Sequence, residues 1–493
     1  MRVHFISVLG TSLYEPVVYR FQGEKEGGKE QEFVQIAMLE KFQNQIAEDG
    51  KISIFLTDGA KKRNWENRIY NVKDVEFSER WTSKRKLEIC GGNEKPGMES
   101  ILKKDYPELW ERTEGIRISN ASTEEEIWSV FETIFNMIEE NDEIIFDITH
   151  SFRSIPMLAI TIINYAKVLK NCTLKGIYYG AYEAAETAEN VKYAPVVDLT
   201  VYNEILEWTN AAEAFMQYGF ASKMKEVYDK KMGEIPNDKK KEWGAIGSKI
   251  AAMQNLSLAI FTCRGTDASK LESGNKRAFA KSVKNAYQNL AEKSDKVSQD
   301  KDREIKPLYP LVEKIEERYK EYFSDDSNFE IGCGVVRWSI QNSMVQQGYT
   351  ALEETMITYL CAQYGLDDRT EKTREDIVGR TITGIAKYIE KKQSATYFEE
   401  HREEAAEDIF CMRLEQRKGE EEQKEKMKEI VRTLPVPFVI LCKKVKNRRN
   451  DINHFGFRTN PLPADTLNKE LNQLYDEFIE YVGKYPLSRK GDA

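Results

Sequence analysis

From Arg2 to about Leu199, short apolar and β-branched runs alternate with segments whose apolar residues recur every three to four positions. Val3–Leu9 (VHFISVL) reads as a strand that ends at Gly10-Thr11-Ser12, and Phe33–Ala47 reads as a helix stopping before Gly50. Ile52–Leu56 is a second strand, ending at Thr57-Asp58-Gly59, and Ile116–Ser119 a third. The helix that follows opens with the capping box Thr123-x-x-Glu126 and carries an apolar stripe at Ile127, Val130, Ile134, Met137 and Ile138. Ile144–Ile148 is a fourth strand, followed by a helix to Leu169 and a strand over Leu174–Tyr179. Strands alternating with helices predict right-handed βαβ units, hence an α/β, Rossmann-like fold with a parallel sheet.

Near residue 200 the β pattern fades and long polar helices take over, so an α/β domain over 1–199 and an all-α region over 200–493 are expected. Val201–Met232 reads as one helix with a core set at Ile205, Trp208, Ala212, Phe215 and Phe220. Glu292–Lys306 is expected to be a solvated connection and Glu399–Lys428 an exposed, inserted helical face. Ile331-Gly332-Cys333-Gly334-Val335 reads as a turn, and no internal repeat stands out.

A chain of 493 residues accommodates two to four domains. With 41% hydrophobic and 31% charged residues it is too apolar for disorder and too charged for a membrane protein. No stretch approaches the roughly 18 apolar residues of a spanning helix, and the apolar start at Phe5–Leu9 is too short for a signal peptide, so a cytoplasmic protein is expected. Seven scattered cysteines without a C-x-x-C pair encode neither a zinc ribbon nor a disulfide framework, and no metal set is expected. The net charge of −9 means that any nucleic acid must be held by a local basic patch.

Two strand ends in the first half carry the groups an anion site needs. Gly10-Thr11-Ser12 offers close backbone approach and two hydroxyls. The run Asp147-Ile148-Thr149-His150-Ser151-Phe152-Arg153 packs hydroxyls, an imidazole and a guanidinium into a strand-to-helix junction, with Asp147 either bracing the loop or touching a ligand. Turn-forming residues at strand ends are the plainer use of both loops. No G-x-G-x-x-G or G-x-x-x-x-G-K-[ST] is present, which weighs against dinucleotide and Walker-type sites.

In the second half, Lys443, Lys444, Lys446, Arg448 and Arg449 put five positive charges within seven residues, and Arg449-x4-His454 follows directly. A guanidinium to hold a phosphate and a histidine to move protons are the minimum for metal-free RNA cleavage, because the 2′-hydroxyl of RNA is itself the nucleophile. An exposed histidine on a basic helix is the plainer reading. Five residues at about 100° each set Arg449 and His454 roughly 140° apart on an unbroken helix. Joint action therefore requires a break, for which Asn450, Asp451 and Asn453 are suitable caps, or a second subunit across a two-fold axis.

The segments FISVLGTSLYEPVVY at Phe5–Tyr19, LTDGAKKRNW at Leu56–Trp65 and DITHSFRSIPML at Asp147–Leu158 resemble the N-terminal CARF domain of CRISPR-associated type III ancillary proteins. RNDINH at Arg449–His454 resembles the R-x4–6-H motif of HEPN ribonucleases, whose second position is often Asn, as Asn450 is here. Ser151 departs from the CARF motif, which often carries glycine there. The resemblance implies a homodimeric ribonuclease, switched on by cyclic oligoadenylate, that cuts single-stranded RNA in antiviral defence without a metal, leaving a 2′,3′-cyclic phosphate and a 5′-hydroxyl. A four-membered ring is favoured over a six-membered one, and neither a membrane nor a stable complex with the type III effector is required. Gly10, Thr11, Ser12, Thr149, His150, Ser151, Phe152 and Arg153 would bind the ring. Arg449 and His454, with Asn450 in support, would carry the cleavage, and Lys443, Lys444, Lys446 and Arg448 would hold the RNA. The alternative is a non-catalytic regulator, in which a nucleotide-sensing domain controls a helical nucleic-acid-binding module; a scaffold with structural loops is a third.

Overall fold

The computed structural model describes residues 1–24, 28–46, 49–67, 95–150, 155–265, 282–292, 305–325, 327–411 and 421–487. The chain divides into two compact units, Met1–Leu206 and Glu207–Ala493. None of the described helices is long and apolar enough to cross a membrane.

In the first unit, β1 (Val3–Leu9) is buried at all seven positions and pairs in parallel with both β4 (Lys51–Leu56) and β6 (Glu143–Asp147). Its alternation explains why. Val3, Phe5 and Leu9 pack with Val34 and Leu39 of α1 (Val34–Phe42), while Ile6 and Val8 meet Val130 and Ile134 of α2 (Glu124–Met137) and Ile162 and Ala166 of α3 (Ile155–Lys170). The two polar residues inside this strand are bonded, as burial demands. His4 Nε2 lies 2.8 Å from the Ser53 hydroxyl, and the Ser7 hydroxyl donates to Asp147 Oδ2 at 2.6 Å.

With β5 (Thr113–Arg117) and β7 (Thr173–Gly180), the parallel strands run in the order β7-β6-β1-β4-β5. The chain therefore winds outward from β1 through β4 to β5, then returns to the other side of β1 at β6. The Rossmann-like reading holds, but the sheet is not wholly parallel. β9 (Val191–Asp198) is antiparallel to β7 and carries the parallel β2 (Val17–Phe21), with β3 (Glu30–Gln31) antiparallel to β2 and β8 (Glu186–Ala188) antiparallel to β9. These strands went unread because they are short or, in β9, interrupted by Pro195. Thr123 caps α2 as expected, its Oγ1 accepting from the Glu126 N–H at 3.2 Å, while Glu126 Oε2 reaches one residue beyond the cap, to the N–H of Ser122 at 2.7 Å.

The second unit is helical. Where one helix was expected over Val201–Met232 there are two, α4 (Thr200–Tyr218) and α5 (Ser222–Glu234), separated at Gly219, whose φ of +68° ends the first. Trp208, Ala212 and Phe215 are buried, but Ile205 and Phe220 are 38% and 51% exposed and do not join the core. Then come α6 (Gly244–Phe261), α7 (Val283–Glu292), α8 (Tyr309–Phe323), α9 (Asn328–Gln341), α10 (Val345–Gln363) and α11 (Arg380–Lys392). They are followed by α12 (Arg402–Cys411), α13 (Glu421–Thr433), α14 (Val436–Asn453) and α15 (Ala464–Lys484).

The expected turn at Ile331–Val335 is instead the buried middle of α9. Its glycines serve close helix packing: a Cβ at Gly334 would meet the Tyr322 carbonyl at 2.0 Å, and one at Gly332 the Thr355 hydroxyl at 2.3 Å. The segment Glu399–Lys428 is expected to be exposed; residues 412–420 of it lie outside the described residues, and in the rest Ala405, Ala406 and Met427 are buried, so α12 and α13 are amphipathic and pack into the core. Residues 293–304 of the expected connection lie outside the described residues. Tyr349, Leu352 and Met356 of α10 pack with Phe438, Val439 and Val445 of α14 and Leu471 and Phe478 of α15. This packing fixes which face of α14 points inward.

Candidate functional site

In an open α/β sheet the ligand crevice opens where the winding reverses, at the carboxyl ends of the two strands on either side. Here those strands are β1 and β6, and their ends are the two loops singled out from the sequence. Ser7 and Asp147 are register partners across this boundary, and their 2.6 Å bond ties the strands together just below it.

Gly10 sits where no side chain fits: a Cβ would lie 2.6 Å from the Tyr14 hydroxyl and 3.1 Å from His150 Cβ. Thr11 and Ser12 are exposed beyond it. Their loop is held by a residue that sequence reasoning missed. The Asn64 side-chain NH2 donates to the carbonyls of Gly10 at 2.7 Å and Ser12 at 2.9 Å, and Arg63 donates to the Thr11 carbonyl at 3.3 Å. Asn64 is almost fully buried, on the single helical turn Lys61–Trp65 after β4. The LTDGAKKRNW segment was its only signal.

At the end of β6, Asp147 is fully buried, and burial raises its pKa against the bonds from Ser7 and Thr149 that favour the charged form. The Thr149 N–H and hydroxyl both donate to Asp147 Oδ1, at 2.9 and 2.5 Å, and the same hydroxyl accepts from the Gly180 N–H at 2.8 Å. Thr149 is therefore engaged as a brace between β6 and β7, and Asp147 braces the loop too. His150 stacks on Tyr14 with ring centroids 4.2 Å apart. Its Nε2 is enclosed without a hydrogen-bond partner among the described residues, and burial pulls its pKa down to about 4. Ser151, Phe152 and Arg153 lie outside the described residues.

In the second unit, Arg449 and Asn450 lie within α14, and His454 is its last, capping residue, exposed at the surface. The helix is unbroken between Arg449 and Asn453. The break expected at Asn450, Asp451 or Asn453 falls instead just past His454, where Phe455 and Gly456 take positive φ of 56° and 75°. Asp451 fastens the loop beyond, accepting from the Leu462 N–H at 3.0 Å. The His454 N–H still bonds the Asn450 carbonyl at 3.0 Å, so the divergence of Arg449 and His454 on one helix stands.

Glu353 of α10 is the second residue missed. Its Oε2 lies 2.9 Å from Arg449 Nε, an ion pair outside hydrogen-bond alignment, while Arg449 Nη2 donates to Asn450 Oδ1 at 3.3 Å. Burial raises the Glu353 pKa, opposed by Arg449 and Lys446. The basic segment is also less open than its composition implies. Lys443 pairs with Glu390, Arg448 with Glu470 at 2.7 Å, and Lys446 reaches the Thr383 hydroxyl at 3.4 Å. Lys444 has no acidic partner among the described residues. The five cations thus form a partly neutralised face rather than a bare patch. Beside His454, Phe455 and Phe457 are 88% and 87% exposed, with ring centroids 6.4 Å apart.

Residues 4–183 match a family described as the CARF domain of the CRISPR system endoribonuclease Csx1. Over 387 residues, 74% of its length, the chain is 28% identical to the CRISPR-associated protein MJ1674 of Methanocaldococcus jannaschii. The match spans 53% of that protein, so the chain covers about half the length of this relative.

Proposed function

We propose that the chain is a CARF-containing, CRISPR-associated ancillary protein, whose first unit senses a cyclic oligoadenylate and whose second is a metal-independent, HEPN-type endoribonuclease acting on single-stranded RNA. CARF domains as a class bind cyclic oligoadenylates, which agrees with a glycine-backed crevice at the β1 and β6 ends. The ring's phosphates would meet Gly10, Thr11, Ser12, His150 and Arg153.

The observation that carries the nuclease half is the end of α14, where a guanidinium oriented by Glu353 and Asn450 precedes an exposed imidazole by five residues. Arg449 Nη1 would hold a phosphate oxygen and stabilise charge building on the phosphorane. The 2′-hydroxyl attacks phosphorus, an imidazole takes its proton, and the 5′-oxygen leaves with a proton returned to it; the products are a 2′,3′-cyclic phosphate and a 5′-hydroxyl. Because Arg449 and His454 diverge on one helix, two copies of α14 related by a two-fold axis would build the site, each supplying its own groups to a shared phosphate.

The test is cleavage of RNA and of the matching DNA by wild type and His454→Ala, with and without cyclic tetra- and hexa-adenylate, in excess EDTA. Ring-dependent cleavage of RNA alone, lost in His454→Ala, is expected. A soluble, dimeric His454→Ala protein that cut at the wild-type rate would remove His454 from the site, and a wild type that bound RNA without cutting it would shift the reading to a non-catalytic regulator.

A further inference from the structure

Past the imidazole, α14 gives way to a loop whose backbone is fastened and whose side chains are bare. The Phe455 N–H bonds the Ile452 carbonyl at 2.9 Å, the Gly456 N–H the Asp451 carbonyl at 3.2 Å and the Phe457 N–H the His454 carbonyl at 2.9 Å. Asp451, itself buried, holds the far side through the Leu462 N–H, and Arg458 Nη1 donates to the Asn447 carbonyl at 3.4 Å. Yet Phe455 and Phe457 are the two most exposed large apolar side chains among the described residues. Phe455 also takes a left-handed φ, which a bulky residue adopts only at a cost, and no burial of its ring offsets that cost. The two ring planes are 23° apart, so a pair of nearly parallel aromatic faces is held open to solvent within three residues of His454.

We propose that Phe455 and Phe457 form a platform on which the unpaired bases adjoining the scissile phosphate stack, and that this platform makes a single strand the preferred substrate. The inference rests on the ribonuclease reading above. An aromatic ring meets the π-face of any base, so stacking holds a strand in place without reading its sequence. Bases in a duplex are already paired and stacked on one another, and a fixed loop cannot reach their faces. Charge favours a nucleic acid as the occupant over a second copy of this chain. From Ile452 to Ala464 there is no carboxylate, and Arg458, the residue after the second ring, has no acidic partner among the described residues. A strand brings phosphates to that guanidinium. A copy packed through these rings about a two-fold axis would bring the same guanidinium against its own equivalent, with no carboxylate on the loop to pair with either. The fastened backbone also helps, because the loop has its shape before the strand arrives.

The test uses the full chain with cyclic tetra- or hexa-adenylate, whichever activates it, and a single-stranded RNA in which every ribose but one is 2′-O-methylated, so that one linkage alone can be cut. Phe455→Ala and Phe457→Ala should each raise the RNA concentration for half-maximal cleavage about tenfold, as the loss of one stacked base implies, with a smaller change in the saturated rate. An abasic site on one or other side of the cleavable linkage should cost the wild type a similar factor, and the matching Ala variant no more than about twofold in addition. Phe457→Trp should keep the wild-type value, whereas Phe457→Leu, apolar but without a π-face, should behave as Phe457→Ala does. Salt dependence should be unaltered in the Phe variants and shallower in Arg458→Ala. Wild-type kinetics in both Ala variants, losses that simply add to those of the abasic sites, or a dimer that light scattering shows to dissociate without the rings, overturns the platform while leaving the ribonuclease standing. If no RNA is cut under any condition, the ribonuclease reading fails and binding of the same RNA, measured by fluorescence anisotropy, decides. Weaker binding in the Ala variants but not in Phe457→Trp supports the platform; equal or absent binding overturns it.

Discussion

The two candidate sites handle polar groups in opposite ways. At the strand ends of the first unit, Asp147, Thr149 and Asn64 are bonded to backbone or to one another, and His150 is enclosed and neutral. At the end of α14 the groups are charged, partly exposed and held by carboxylates on neighbouring helices. A loop held by backbone hydrogen bonds has its shape before a ligand arrives, so ligand binding is not charged the cost of ordering it. Long side chains held by ion pairs keep their charge but can exchange one partner for another. The first arrangement suits recognition of a fixed ring, the second chemistry on a mobile strand.

The largest test of this contrast removes the chemistry alone. His454→Ala should lower cleavage by about 10²-fold or more while ring affinity, measured by calorimetry, stays at the wild-type value. A parallel loss of ring binding would mean that the two sites are not separate in function.

The reverse test loosens the strand-end loop. Asn64→Ala leaves the carbonyls of Gly10 and Ser12 without their donors. At about 1 kcal/mol for each of the two bonds, the activator needed for half-maximal cleavage should rise about thirtyfold, with the rate at saturation largely kept. An unchanged activation curve would remove Asn64 from any positioning role.

A pH titration separates the two sites further. Burial holds His150 at about 4, against about 6.5 in an unfolded chain. Between these values the unfolded chain binds the proton and the folded unit does not, so stability falls as pH drops from about 6.5 and levels off below about 4. The loss is at most about 3 kcal/mol. His150→Phe should flatten that window in thermal melts of the full chain, and an unaltered pH dependence would show that the ring is not enclosed.

The smallest effect is expected at the basic face. Lys443→Ala removes a cation already paired with Glu390, and should change RNA affinity less than Lys444→Ala does. Equal losses, with equal changes in salt dependence, would mean that the pair opens when RNA binds.

Local pattern revealed most of the elements. The apolar runs of β1, β4, β6 and β7 and the Thr123 cap were legible because each depends on neighbours in sequence. The glycines of α9 were misread for the same reason: in a linear chain Gly332 and Gly334 look like a turn, and only the approach of Tyr322 and Thr355 explains them. Gly10, Thr11, Ser12, Thr149 and His150 stood out as candidates because strand ends announce themselves, while Asn64 did not, since nothing local marks an amide as the clasp of a loop more than 50 residues away.

By itself the sequence determined the parallel strands around β1, the two contrasting halves and the residue types available at each strand end and on α14. Tertiary structure decided which of them meet. Strand order put the ends of β1 and β6 side by side, because the winding reverses there and nowhere in the linear pattern is that reversal written. The packing of α10 and α11 against α14 decided which cations are neutralised and brought Glu353 to Arg449 from 96 positions away. The left-handed backbone of Phe455 and Gly456 decided that α14 ends after His454 rather than before it. Each of these depends on the free energy of burying apolar faces together, which is a property of the assembled core and not of any short stretch of chain.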